Sequence, residues 1–141
     1  MKIDVFIKTL VVTACISFTS CKINQTKNGL KTGKWVIKKN LMNTTTTSIG
    51  RYKKDSKTGK WNYFHKEQLT LTEKYKKDWC YIVEYHNTGQ IRSIGQSKKY
   101  INNSKTEWLP TGEWKFYDSE GVLLGTKIYE KGIPILETYT E

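Results

Sequence analysis

The chain has 141 residues, 37% hydrophobic and 13% aromatic, with 24 basic against 13 acidic side chains and a formal charge of +11. That length fits one domain after a short leader. Three cysteines with no Cys-x-x-Cys and no spaced Cys/His cluster give no support for a structural zinc site or an internal disulfide framework. Only two arginines, Arg51 and Arg92, accompany the lysines, which argues against nucleic-acid readout.

The first element is a leader. Met1-Lys2 gives a basic start, and an uncharged run from Thr9 to Ser20 leads into Ser20-Cys21-Lys22. A spanning helix needs about twenty apolar residues, so this shorter run reads as an export signal. It looks like a bacterial lipoprotein signal over residues 1–20, with Cys21 as the lipidated first residue and residues 21–28 as a polar tether. Val12-Thr13-Ala14-Cys15 is a competing cleavage site, but it leaves only six uncharged residues after Lys8. The plain alternative is a first β-strand or a merely hydrophobic N-terminus. Removal of residues 1–20 would leave a charge of +10.

The remainder is organised by a repeated tetrapeptide. Thr32-Gly33-Lys34-Trp35, Thr58-Gly59-Lys60-Trp61 and Thr111-Gly112-Glu113-Trp114 place tryptophans 26 and then 53 residues apart, so a degenerate copy is expected between the last two. Four units follow, beginning near residues 29, 56, 80 and 109, with Tyr52, Tyr75 and Tyr129 closing three of them. Each reads as a β-hairpin. Trp61 with Tyr63, and Trp114 with Phe116, alternate at period two and share a face. His86-Asn-Thr-Gly89 and Asp118-Ser-Glu-Gly121 are turn clusters, and the glycine before each tryptophan is expected in the turn that links hairpins. No stretch after residue 22 holds helical periodicity. The expected fold is therefore all-β, a single-layer antiparallel meander of about four hairpins over residues 29–141. The alternative is a sandwich or barrel of eight unrelated short strands.

Some aromatic residues fall outside the repeat. Trp79 and Tyr81 follow the second unit, and Trp108 lies in the insertion from Ile101 to Pro110, where Asn102 to Lys105 reads as a loop. They are read either as fillers where the third unit lacks its tryptophan or as a contact patch of the kind enriched at binding sites. Lysine pairs recur along the units, including Lys53-Lys54 and Lys76-Lys77. The plain reading is a solvated face that keeps a tryptophan-rich sheet soluble; in register the pairs would form a basic stripe suited to an anionic partner. The candidate binding residues are thus Trp79, Tyr81, Trp108, Lys53, Lys76 and Lys77.

The Gly-x-Trp hairpin repeat resembles the MORN family (membrane occupation and recognition nexus), in its bacterial, antitoxin-like variant. The match covers residues 29 to 134 through Gly33-Lys34-Trp35, Gly59-Lys60-Trp61, Gly89 and Gly112-Glu113-Trp114. The third unit lacks its tryptophan, and Gln68 stands where the pattern has a turn glycine. The resemblance implies an elongated hairpin sheet held by aromatic stacking between units. Its members serve as scaffolds, lipid-associated modules and protein binders.

Catalytic constellations are not traceable. His65 and His86 precede equivalent turns, and Glu73, Asp78, Glu84 and Glu107 show no pairing spacing. No cofactor or metal is expected. The leading expectation is a non-catalytic binding or scaffold module of the bacterial envelope, held to a membrane by its lipid, with the outer membrane preferred. Its partner would be a protein, a glycan or an anionic lipid surface. Two other readings are an antitoxin-like cytoplasmic protein that occludes a toxin and a small envelope hydrolase. The hydrolase would need polar side chains converging on one concave face.

Overall fold

Alternating aromatic and β-branched residues separated by two-residue turns leave the chain one economical solution, a meander in which each strand pairs with its sequence neighbour. The computed structural model describes residues 22–41 and 44–140, so the leader and Cys21 lie outside the described residues. The strands are β1 (Gln25–Lys27), β2 (Leu30–Leu41), β3 (Thr44–Lys53), β4 (Ser56–His65), β5 (Gln68–Lys76), β6 (Trp79–Tyr85), β7 (Ile91–Asn102), β8 (Lys105–Pro110), β9 (Gly112–Tyr117), β10 (Leu123–Glu130) and β11 (Ile133–Tyr139). They form one antiparallel sheet in the order β1 to β7, then β9, β10 and β11. Strand β8 also pairs β7, beside the part that β9 leaves free. The four expected hairpins are β2–β3, β4–β5, β6–β7 and β9–β10, with β1, β8 and β11 added.

Most hairpin turns carry positive φ at both central residues, as in Lys54-Asp55, Lys66-Glu67 and Asn103-Ser104. That backbone matches the right-handed twist of the flanking strands. Asn102 to Lys105 is therefore not a loop. It is the tight turn of an extension made by the end of β7 and β8.

The glycine before each tryptophan also departs from expectation. Gly59 has φ +64 but lies inside β4, and Gly112, with φ +76, opens β9. Both sit at bulges. One residue of β3 faces Gly59, Lys60 and Trp61, and two residues of β7 face Thr111 to Trp114. Each bulge thus gives the tryptophan strand two extra residues.

These bulges lay Trp61 over a glycine of β3 and Trp114 over a glycine of β7. A Cβ on Gly50 would stand 2.1 Å from the Trp61 ring, and one on Gly95 would stand 2.1 Å from the Trp114 ring. The Trp61 indole N–H donates to the Arg51 carbonyl at 3.1 Å, and that of Trp114 to the Gln96 carbonyl at 3.1 Å. In both cases the acceptor follows the glycine, so the two sites are copies of one joint. Trp35 is half-buried at the sheet's end and donates to the Gln25 and Thr32 carbonyls instead.

Edge-on aromatic contacts run within the units and, through Tyr52, from the first unit to the second. Tyr52 lies between Trp35 at 5.6 Å and Trp61 at 4.9 Å, and Tyr129 lies 6.1 Å from Trp114. The fully apolar core is small: Trp61, Cys80 and Trp114 are its buried hydrophobic residues among those described. Strand β11 is an exposed edge from end to end, and its Pro134 is of the kind tolerated there.

Candidate functional site

Register places Trp61, Tyr63, Glu73, Tyr75, Cys80, Ser97, Lys99, Trp108 and Trp114 on one face of the sheet. At its centre the Glu73 carboxylate accepts hydrogen bonds from the Tyr63 hydroxyl, from the Tyr75 hydroxyl at 2.8 Å and from the Lys57 ammonium at 3.3 Å. Lys57 is also 2.5 Å from the Tyr63 hydroxyl. Its ammonium stands 5.2 Å from the Trp61 ring centre and 5.1 Å from that of Tyr63, within cation–π range. Lys31 repeats this over Trp35 and Tyr52, at 5.1 Å from each. Lysine four residues before the tryptophan is thus part of the repeat in the first two units.

Burial raises the Tyr63 and Tyr75 phenols above their ordinary range, and their hydrogen bonds to Glu73 and its charge raise them further. Burial, followed by the charge of Glu73, pushes the Cys80 thiol from 9.0 up to about 11. These groups are held protonated at neutral pH, which removes a ready phenolate or thiolate nucleophile. Glu73 is engaged by three donors on one oxygen, and its local pairing with Lys57 balances charge.

The same shifts set a pH dependence. For an acid whose folded pKa is raised, the folded state retains its proton longer, so stability falls as pH rises. The Cys80 contribution is full below pH 9.0 and is lost as pH climbs toward about 11, with the tyrosines adding to the loss above 10.0. Melting temperatures measured by circular dichroism should therefore fall through this window. Cys80→Ala should flatten its lower part, and an identical alkaline profile in that variant would remove Cys80 from the explanation.

Beside this network is a cleft of about 430 Å³ lined by Asp55, Ser56, Lys57, Tyr75, Lys77, Lys99, Thr106 and Trp108. Strands β4 and β8 stand four places apart in the sheet yet share this cleft, so the sheet is concave on the tryptophan face. Cys80 and Ser97, small and buried, occupy the strands between. They leave room for Trp108 to reach Tyr75, edge-on at 5.1 Å.

The sequence candidates are divided by the two faces. Trp108 and Lys77 line the cleft. Trp79 and Tyr81 belong to the opposite face, where Lys76 pairs with Trp79 and the Lys98 ammonium lies 5.5 Å from the Trp79 ring. Trp79 therefore does not fill the place of the third unit's missing tryptophan, which Ile82 holds on the tryptophan face, paired with Glu73 and Gly95. Lys53 pairs with Ser56 at the end of β3 and lines neither patch. His65 is exposed at the end of β4, while His86 bonds the Tyr117 carbonyl through Nε2 at 2.9 Å. Among the described residues, no group of three or more His, Cys, Asp and Glu side chains could hold a metal ion.

The residues missed from sequence are Lys57, Tyr63, Glu73, Tyr75 and Lys99. A usable signal existed for the first, because Lys31-Thr-Gly-Lys-Trp35 and Lys57-Thr-Gly-Lys-Trp61 extend the repeat by one lysine. Glu73 carries no such mark, since strand pairing alone brings it opposite Trp61.

No family model and no curated protein matches the chain. Among solved structures, a chain of the "Crystal structure of GtfA/B complex" is similar at 10% identity and a TM-score of 0.24, over 73% of this chain and 19% of its own. This chain thus spans about a fifth of that one, and a likeness of this degree carries no argument about fold or function.

Proposed function

We propose that the protein is a non-catalytic binding module of the bacterial cell envelope, a MORN-type repeat lipid-anchored at Cys21 and tethered through residues 21–28, with the outer membrane preferred. The observation that carries the binding reading is the concave tryptophan face with its cleft, lined by Trp108 and Tyr75 together with Lys57, Lys77 and Lys99. Concavity is the usual form of a ligand site, and here two aromatic side chains stand among six polar or charged ones, a lining suited to a polar ligand. The neighbouring polar cluster is the feature a hydrolase would require, yet its phenols and thiol are held protonated and one oxygen of its carboxylate is taken by three donors. That chemistry favours holding a ligand over attacking one.

The test is crosslinking of the membrane-held protein in cells, followed by capture and mass spectrometry, with a clickable fatty acid supplied during growth. Wild type should carry the label and a reproducible partner. Cys21→Ser should lose the label, and Trp108→Ala should keep the label and fold but lose the partner. Label that survives Cys21→Ser and vanishes in Cys15→Ser would move the anchor. A partner retained by Trp108→Ala and lost by Trp79→Ala would move the site to the opposite face. Turnover of an envelope substrate by the purified protein would overturn the non-catalytic reading.

A further inference from the structure

We infer that the cleft takes an anionic sugar unit, the carboxylate-bearing ring of a uronate glycan; this rests on the binding-module reading and specifies its ligand. Three lysines line the cleft against one carboxylate, that of Asp55. Asp55 is already occupied, since its Oδ1 accepts the Lys31 backbone N–H at 2.6 Å. Lys57 is partly spent on Glu73. Lys77 and Lys99 form no ion pair among the described residues, so their ammonium groups remain for a ligand anion.

The other walls define what the anion is attached to. Trp108 is held edge-on to Tyr75, which fixes the indole as a flat apolar wall. A bare phosphate gains little from such a wall, whereas a pyranose has a C–H face to lay against it and hydroxyls at its rim. Ser56 and Thr106 line the cleft with hydroxyls able to meet that rim. A lipid headgroup would bring acyl chains with it, and the cleft's lining offers them only Tyr75 and Trp108 among polar and charged side chains. A wider hollow of about 690 Å³ on the same face is a weaker candidate, because its Arg92 is paired with Glu84 at 2.9 Å.

The experiment is isothermal titration of the full-length protein in detergent with trigalacturonate, beside maltotriose, sodium phosphate and phosphatidylglycerol vesicles. Trigalacturonate should bind, more weakly as salt rises, and maltotriose and phosphate should not. Lys77→Gln and Lys99→Gln should each weaken binding about fivefold, the upper range for exposed ion contacts. Trp108→Ala should weaken it about thirtyfold or more, as for an interface anchor. Lys60→Gln, on the opposite face, should bind as wild type does. Absence of trigalacturonate binding, or affinity unchanged in Lys99→Gln, overturns the inference, as does equal binding of phosphate alone or of the vesicles. If trigalacturonate fails while Trp108→Ala still loses the crosslinked partner, the ligand class falls and the binding module stands. If Trp108→Ala keeps that partner, the cleft is not the binding site and the inference falls with it.

Discussion

Trp61→Ala is expected to unfold the protein or to lower its melting temperature more than any exposed substitution. Trp61 is 0% exposed, in a sheet whose described apolar core has two other members. Its ring meets Tyr52 edge-on at 4.9 Å and stacks near Tyr63 at 6.3 Å, with Lys57 above. Truncating a packed tryptophan costs about 3–5 kcal/mol. A small domain holds only about 5–15 kcal/mol in total. Trp114→Ala should approach this effect, because Trp114 occupies the same kind of joint. Trp35→Ala should cost less, since Trp35 is half-buried and has only the three-residue β1 beyond it. Lys77→Ala, at an exposed turn, should stay within about 0.5 kcal/mol of wild type. Thermal melts of the four variants by circular dichroism give the order directly. A Trp61→Ala melt close to wild type, or one less costly than Trp35→Ala, would refute the joint as the stabilising unit.

The meander was legible because its signals are local. Aromatic alternation and turn residues act over a few positions, and the tryptophan spacing fixes how many hairpins there are. The face of each tryptophan was legible for the same reason, as Trp61 and Tyr63 stand two residues apart on one strand. The site was less accessible, since it is assembled by pairing between strands. Glu73 meets Tyr63, Tyr75 and Lys57 across β4 and β5, a relation set by register and by a bulge between Tyr63 and Phe64. Trp108 and Trp79 looked alike in sequence because both lie outside the repeat. Their separation to opposite faces follows from strand parity on β8 and β6, which bulges of the kind seen at Gly59 make hard to count from the chain alone.

Gly50→Ala and Gly95→Ala are expected to be nearly as damaging as loss of the tryptophans they support. The added methyl would stand 2.1 Å from Cδ2 of Trp61 in the first case and 2.1 Å from Cδ2 of Trp114 in the second. Each indole is held by its own hydrogen bond to the next carbonyl, so it cannot slide aside and keep that bond. Overpacking of a filled site costs about 1–3 kcal/mol, and forfeiting a buried hydrogen bond adds about 0.5–1.5 kcal/mol. Gly59→Ala is the informative contrast. Nothing lies within 4 Å of its Cβ position, so its cost comes only from φ +64, about 1–2 kcal/mol. Gly125→Ala should behave differently again, because its methyl would meet the Thr138 carbonyl oxygen at 2.3 Å. That clash opposes the docking of β11 and leaves both tryptophan joints intact, so it should loosen the edge without unfolding the centre. A double-mutant cycle decides whether glycine and indole form one device. In a Trp61→Leu background the flat ring is gone, and Gly50→Ala should lose much of its cost, a coupling of about 0.5–3 kcal/mol. Strictly additive losses at Gly50 and Trp61 would mean that the glycine serves the backbone of β3 and not the ring above it.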